Sequence, residues 1–341
     1  MISMRPLPSS TSTLIPAPAD GIVIVKQLPP GLRQFTLTSA AGNCGIAPPS
    51  TVVLTIVVGE TAEAEFNVGC SASSQLAFVM GEGFNTDIGF MAANTEVTRI
   101  TTVALRDEDP AWSPDGTEIA FSSERTSDRD IYVMKANGSG QTRITNSAGA
   151  DYSPAWSPDG RRIAFVSERD GNAEIYVMDS DGSNPVRLTS DFYPDNDPSW
   201  SPDGSRIAFY SGRDGGAGIW VMNADGSSRV QLVANATDRH PAWSPDGKTI
   251  VFTRVSGKER DLFLIGADGT GLRQLTSHML DAADPSWSRD GRMIAFSVTG
   301  CEYSWYYGYY CSTVIYTIAL FETTTSTPKN LITGSNPAWR P

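Results

Sequence analysis

Histidine is almost missing: only His240 and His278 occur in 341 residues. Neither belongs to a His-Glu-x-x-His pair, so the most familiar zinc-hydrolase arrangement is excluded. No Gly-x-Ser-x-Gly elbow and no glycine-rich phosphate loop occur either, which removes the signatures of the α/β-hydrolases and of the P-loop enzymes. Long apolar runs are lacking, because the longest, 52–58, is far short of the roughly 20 residues that a membrane-spanning helix needs. Positive charge is scarce, with 26 Lys and Arg against 38 Asp and Glu, a net charge of −12 and a pI near 4.7. That balance argues against nucleic acid and anionic membrane surfaces as partners. The segment after Met1 has neither the charged start nor the apolar core of a secretion signal. Cysteine is sparse but patterned: Cys44 with Cys70 and Cys301 with Cys311 form two local pairs, as in an oxidised protein. The expectation is an exported chain, extracellular or periplasmic, with two disulfides; the alternative is four reduced, buried thiols in a cytosolic protein.

What the chain does have is a repeat. Trp-Ser-Pro-Asp-Gly begins at Trp112, Trp156, Trp200 and Trp243, and recurs at Trp287 with Arg in place of Pro, at intervals of 44, 44, 43 and 44 residues. A period of about 40 to 45 residues fits a four-stranded propeller blade. In 154–189 the four strands are Pro154-Ala155-Trp156 (a), Ile163-Ala164-Phe165 (b), Ile175-Tyr176-Val177-Met178 (c) and Val186-Arg187-Leu188-Thr189 (d). Ser157-Pro158-Asp159-Gly160 links a to b with type I turn chemistry, and Asp179-Ser180-Asp181-Gly182 links c to d. Strand b occurs six times, at Leu76-Ala77-Phe78, Ile119-Ala120-Phe121, Ile163-Ala164-Phe165, Ile207-Ala208-Phe209, Ile250-Val251-Phe252 and Ile294-Ala295-Phe296. The first copy lacks its own Pro-x-Trp strand, and Asn336-Pro337-Ala338-Trp339 supplies one at the end. The fold expected is all-β: a six-bladed β-propeller over 71–341, closed by its C-terminal strand so that no sheet edge is left open.

These repeats resemble the TolB-type six-bladed propeller unit over about 74–341. In that family the propeller acts mostly as a protein-interaction platform, and in some relatives it gates a serine peptidase. The α/β domain that precedes the TolB propeller has no counterpart here. The resemblance implies a binding scaffold that is not an enzyme, and a peptidase would need a further hydrolase domain. Ahead of the propeller, 1–20 is rich in Pro, Ser and Thr and reads as an extended arm. In 21–70, strand candidates at 21–26, 33–39, 51–58 and 62–68 are separated by turns at Pro29-Pro30-Gly31 and Gly59-Glu60-Thr61. The stretch from Leu28-Pro29-Pro30-Gly31 through Asn43-Cys44 to Phe66-Asn67-Val68-Gly69-Cys70 resembles the second half of a small bacterial immunoglobulin-like β-sandwich, and that resemblance also implies a Cys44–Cys70 pair. About 50 residues make a marginal core. The module therefore docks on its own propeller, or is completed by a neighbouring molecule through strand addition, with 1–20 as the donated strand. The second course leads to head-to-tail self-assembly into filaments.

Site candidates lie where the copies differ. Asp107, Asp151, Asp195 and Asp238 each precede strand-a proline by three residues, with Asp281 or Asp284 in the next copy and Gly334 in the sixth. Lining the channel mouth, they would recruit a cation such as Ca²⁺; otherwise each caps its own loop. The insertion 301–311 carries Tyr303, Trp305, Tyr306, Tyr307, Tyr309 and Tyr310 between two cysteines. Such large amphipathic side chains suit protein or glycan recognition, with a channel plug or a plain hairpin extension as the alternatives. A carbohydrate- or peptide-binding receptor, and less so a metal-dependent propeller enzyme, are the competing functions. Asn137-Gly138-Ser139 and Asn235-Ala236-Thr237 fit the glycosylation pattern, or are simply turns.

Overall fold

The computed structural model describes residues 75–340 apart from 83–84, 92–95, 127, 214, 258, 277–281, 305–307, 320–328 and 334. Before these it describes the strands Ile2–Pro6, Thr13–Ile15, Gly31–Leu37, Cys44–Ile46, Thr51–Ile56 and Val68–Cys70. For the early strands and for 299–333 the backbone alone is described. Among the described residues no helix is long and apolar enough to cross a membrane. The chain divides into two compact units, Met1–Ser73 and Ser74–Pro341.

The larger unit is an all-β propeller. Five blades are each made from one stretch of chain, a four-stranded antiparallel sheet whose strands follow sequence order, and each is identified here by its tryptophan at 112, 156, 200, 243 or 287. A further four-stranded sheet is composite. Its strand a is Ser335–Trp339, hydrogen-bonded to Leu76–Glu82 with Trp339 opposite Leu76, and Asn85–Met91 and Val97–Arg99 follow.

Strand b is a continuous apolar run because both faces of a blade are covered by neighbours. Phe78, Phe121, Phe165, Phe209, Phe252 and Phe296 are all wholly buried. The core lies between blades: Val166, Ile175 and Val177 of one pack against Trp200, Ile207 and Phe209 of the next. Burying aromatic side chains on this scale is the main stabilising term, at roughly 25 cal/mol per Å² of apolar surface removed from water. Polar bonds stitch the same seams. The indole Nε1 of Trp112 donates to Ala338 O, that of Trp200 to Ala155 O and that of Trp287 to Ala242 O, at 3.1, 3.2 and 3.1 Å.

The Ser-Pro-Asp-Gly turns form as their chemistry requires. In the first, Asp115 Oδ1 accepts from Ser113 Oγ at 2.7 Å and from the Thr117 amide at 3.0 Å, and Gly116 takes a φ of 68°. These bonds hold the turn carboxyl groups below their ordinary range, and Asp203 is brought down to about 2.

In the smaller unit the strands order as Thr13–Ile15, Ile2–Pro6, Gly31–Leu37, Thr51–Ile56, with Cys44–Ile46 and Val68–Cys70 as a separate pair. Residues 2–6 therefore pair within their own chain, Met4 opposite Phe35, where the composition of 1–20 suggested a free arm. The alternation Ile2, Met4 gives that segment one apolar face, which outweighs the flexible composition around it. The expected strand 21–26 lies outside the described residues, as does most of 62–68. Cys44 stands opposite Cys70 in the backbone register, and Cys301 opposite Cys311.

Candidate functional site at the channel mouth

The residue just before each strand-a proline has a left-handed backbone: Asp109, Ser153, Asp197, His240, Asp284 and Asn336 have φ between 47° and 57°. None is glycine, so each position stores strain. The strain accompanies a β-bulge, since the a–b register shifts at this point in every sheet, for example between Glu108 and Ala111. A bulge re-aims a side chain, and here all six turn toward one cavity of about 160 Å³ whose walls are these residues and the prolines that follow them.

The ring is held by its own polar bonds. Asp109 Oδ1 accepts from Asn336 Nδ2 at 2.9 Å, and its Oδ2 accepts from Ser122 Oγ at 3.0 Å and from the Ser153 amide at 3.3 Å. Asp197 Oδ2 accepts from the His240 amide at 3.2 Å, and Asp284 Oδ2 from Ser297 Oγ at 2.6 Å. The His240 ring sits between two acids, Nδ1 at 3.4 Å from Asp284 and Nε2 at 3.9 Å from Asp197. Surrounding protein disfavours the charged imidazole, but Asp197 and Asp284 outweigh that and raise its pKa above the ordinary value. A third of the His240 side chain stays accessible. Three carboxylates and one imidazole thus make the mouth acidic. They are spaced around it: among the described residues no group of three or more His, Cys, Asp or Glu side chains is arranged to hold a metal ion.

The aspartates proposed for this place are elsewhere. Asp107, Asp151, Asp195 and Asp238 are wholly buried and do not line the cavity. Arg125 donates to both oxygens of Asp107 at 2.9 and 2.8 Å, Arg254 to both of Asp238 at 2.7 Å, and Arg169 to both of Asp151 at 3.3 Å. They are structural anions that draw in an arginine also stacked on strand-b and strand-c aromatics, as Arg125 is on Tyr132. Asp195 departs from the pattern. Its arginine, Arg213, turns away to Asp191 at 2.6 Å and to the face of Trp220, and neither Asp195 oxygen has a partner of good hydrogen-bond geometry, the Ser211 hydroxyl offering only a weak one. Burial pushes the Asp195 pKa up to about 6; Asp191 and Glu174 add to the rise while Ser211 and Arg213 temper it.

In the fifth copy Asp284 belongs to the ring and Asp281 lies outside the described residues, as does Gly334 in the sixth. Sequence reasoning missed Asp109, Ser153, Asp197, His240 and Asn336. The available signal was a small or Asx-like residue before proline, the kind that tolerates a left-handed backbone. Tyr303, Tyr309 and Tyr310 lie on a long hairpin, Met293–Ser304 with Gly308–Ala319, where Tyr303 is opposite Tyr309. Trp305, Tyr306 and Tyr307 lie outside the described residues. Asn137 and Asn235 each accept from the amide and hydroxyl two residues on, Ser139 and Thr237, and so act as turn formers.

Residues 141–305 match the TolB beta propeller domain. That is just under half of the chain. Among solved structures, TolB from Acinetobacter baumannii superposes with a TM-score of 0.66 at 20% identity, over 94% of this chain and 82% of that one. A chain of a nidogen/laminin complex gives 0.59 at 10% identity, over 77% and 97%. Oligogalacturonate lyase from Vibrio parahaemolyticus gives 0.52 at 14% identity, over 77% and 75%. At these identities the likeness shows the fold, which hosts both binding proteins and an enzyme. No curated protein matches the sequence.

Proposed function

We propose that this chain is a non-enzymatic, protein-binding propeller whose partner docks over the mouth with a lysine ammonium between Asp109, Asp197 and Asp284. The observation that carries this reading is the ring itself: six strained residues, one from each sheet, turned into one small acidic cavity. Strain retained at every copy of a bulge is the mark of a site, and a compact point charge fits a cavity of this size and sign. The match to the TolB domain supports a scaffold role. The test is selection of a random peptide library on the full chain. Lysine-centred peptides are expected to be enriched and to lose binding to Asp109→Asn/Asp197→Asn/Asp284→Asn; peptides that bind this variant equally well would refute the reading.

The composite sheet is read as a sixth blade closing the ring, supported by Asn336 and Pro337 completing the mouth. Location outside the cytoplasm is supported by the cysteines opposed in two antiparallel strand pairs. Self-assembly through the immunoglobulin-like N-terminal unit rests on its outer strands, Thr13–Ile15 and Thr51–Ile56, each having one partner only among the described strands. Light scattering of the full chain tests it, and a monomer at high concentration would end it.

A further inference from the structure

In two successive blades the first residue of strand b is an arginine that stands over the tryptophan of the next. The Arg162 guanidinium lies 4.8 Å from the Trp200 ring centroid, and Arg206 lies at the same distance from Trp243. Each arginine also lies beside the aspartate of its own turn: Asp159 and Asp203 are held low by their turn hydroxyls and amides first, and by Arg162 and Arg206 in addition. Under this cover Trp200 and Trp243 are 7% exposed.

In the next unit Thr249 stands where those arginines stand. Trp287 is then only half-buried, and a cavity of about 430 Å³ opens, lined by Thr249, Trp287, Asp246, Asp290, Leu264 and Arg273 among others. The aspartate and the indole face of the arrangement are both kept, and the cation between them is missing. The Trp287 indole already donates to Ala242 O, which fixes the plane of the ring. Asp246 pairs with Lys248 at 4.0 Å, and 81% of that lysine side chain is exposed.

We propose that this cavity binds a guanidinium group, the arginine side chain of a partner protein, in the place the chain's own repeats fill with Arg162 and Arg206. A planar, weakly hydrated cation stacks on an indole and offers its N–H fork to the two carboxylates, whereas a lysine ammonium does neither as well. Asp246 and Asp290 balance the charges of Arg273 in the lining and of the exposed Lys248, so an incoming guanidinium meets no net positive charge.

The test titrates N-acetyl-arginine methylamide and its lysine analogue against the full chain by calorimetry. The arginine compound is expected to bind at least tenfold more tightly than the lysine one. Thr249→Arg, which restores the internal guanidinium, should weaken that binding tenfold or more and lower the quenching of tryptophan fluorescence by acrylamide. Asp246→Asn, which alters no buried group, should weaken it at least threefold. Asp109→Asn/Asp197→Asn/Asp284→Asn should leave it unchanged, which separates this site from the mouth. No binding of the arginine compound, no preference over lysine, or equal binding by wild type and Thr249→Arg would each overturn the proposal.

Discussion

Replacing Asp195 by Asn should make the protein more stable at neutral pH, although it alters a wholly buried residue. The carboxyl group has no hydrogen-bond partner of good geometry, and its arginine is committed to Asp191. Its pKa stands near 6 in the folded chain against an ordinary 3.8, a gap worth about 3 kcal/mol. Because the folded state holds the proton more tightly than the unfolded one, the stabilising contribution of the neutral acid is fully present below about pH 4 and is lost as pH rises through about 6. An ionised Asp195 at pH 7.5 therefore weakens the fold by up to about 3 kcal/mol relative to a neutral group of the same shape. Asparagine is that group, less the cost of placing an amide there, so the net gain expected is on the order of 1–3 kcal/mol. Urea unfolding of wild type and Asp195→Asn at pH 4.5, 6.0 and 7.5 reads the effect, because groups that do not interact with Asp195 cancel in the difference. The advantage of Asp195→Asn should be smallest at pH 4.5, where about 1 kcal/mol of the carboxyl contribution is already lost, and larger by about 2 kcal/mol at pH 7.5. A difference that is flat with pH, or wild type more stable at pH 7.5, would refute the reasoning.

Trp339→Ala should cost about 3–5 kcal/mol, because the residue is 7% exposed and packs with Leu76, Phe78, Met91 and Ala295; an unchanged thermal transition would contradict its place in that core. The His240 imidazole, followed by NMR, should titrate above its ordinary pKa of 6.5 and fall in Asp284→Asn, and the stability its charge confers should be lost as pH rises through the folded value. Peptide mapping without reductant should recover Cys44 joined to Cys70 and Cys301 to Cys311, as their opposed positions in the register allow, while four free thiols would remove the argument for an oxidising compartment.

The propeller was legible because its evidence is periodic. Trp, Pro, Asp and Gly at a fixed spacing specify a turn and an inner strand each time they occur, and the Ile-Ala-Phe runs mark the strand buried on both faces. The site was less so. Asp107, Asp151 and Asp238 recur at a fixed place because an arginine two residues beyond strand b, or near its end in the case of Arg254, neutralises them inside the blade. A recurrent acid next to a loop looks the same in the sequence whether it faces a channel or a guanidinium. The true ring varies from Asp to Ser to His to Asn, and what its members share is a backbone dihedral, which side-chain chemistry reveals only faintly. The pairing of 2–6 with Gly31–Leu37 was hidden for the opposite reason, two alternating apolar residues within a stretch otherwise rich in proline and serine.

The pairing of Ser335–Trp339 with Leu76–Glu82 also sets a timetable. Arg340 and Gln75, which bond side chain to side chain at 2.6 Å, are 265 residues apart in the chain. At a synthesis rate of about 5–20 residues per second, the early strands wait tens of seconds for the strand that completes their sheet. During that interval Leu76 and Phe78 lack their covering tryptophan, and the edge of their strand offers unpaired amides to any other chain. A chain interrupted before Trp339 would keep that edge unpaired, so the arrival of Ser335–Trp339 bears on whether the product stays in solution or seeds aggregation.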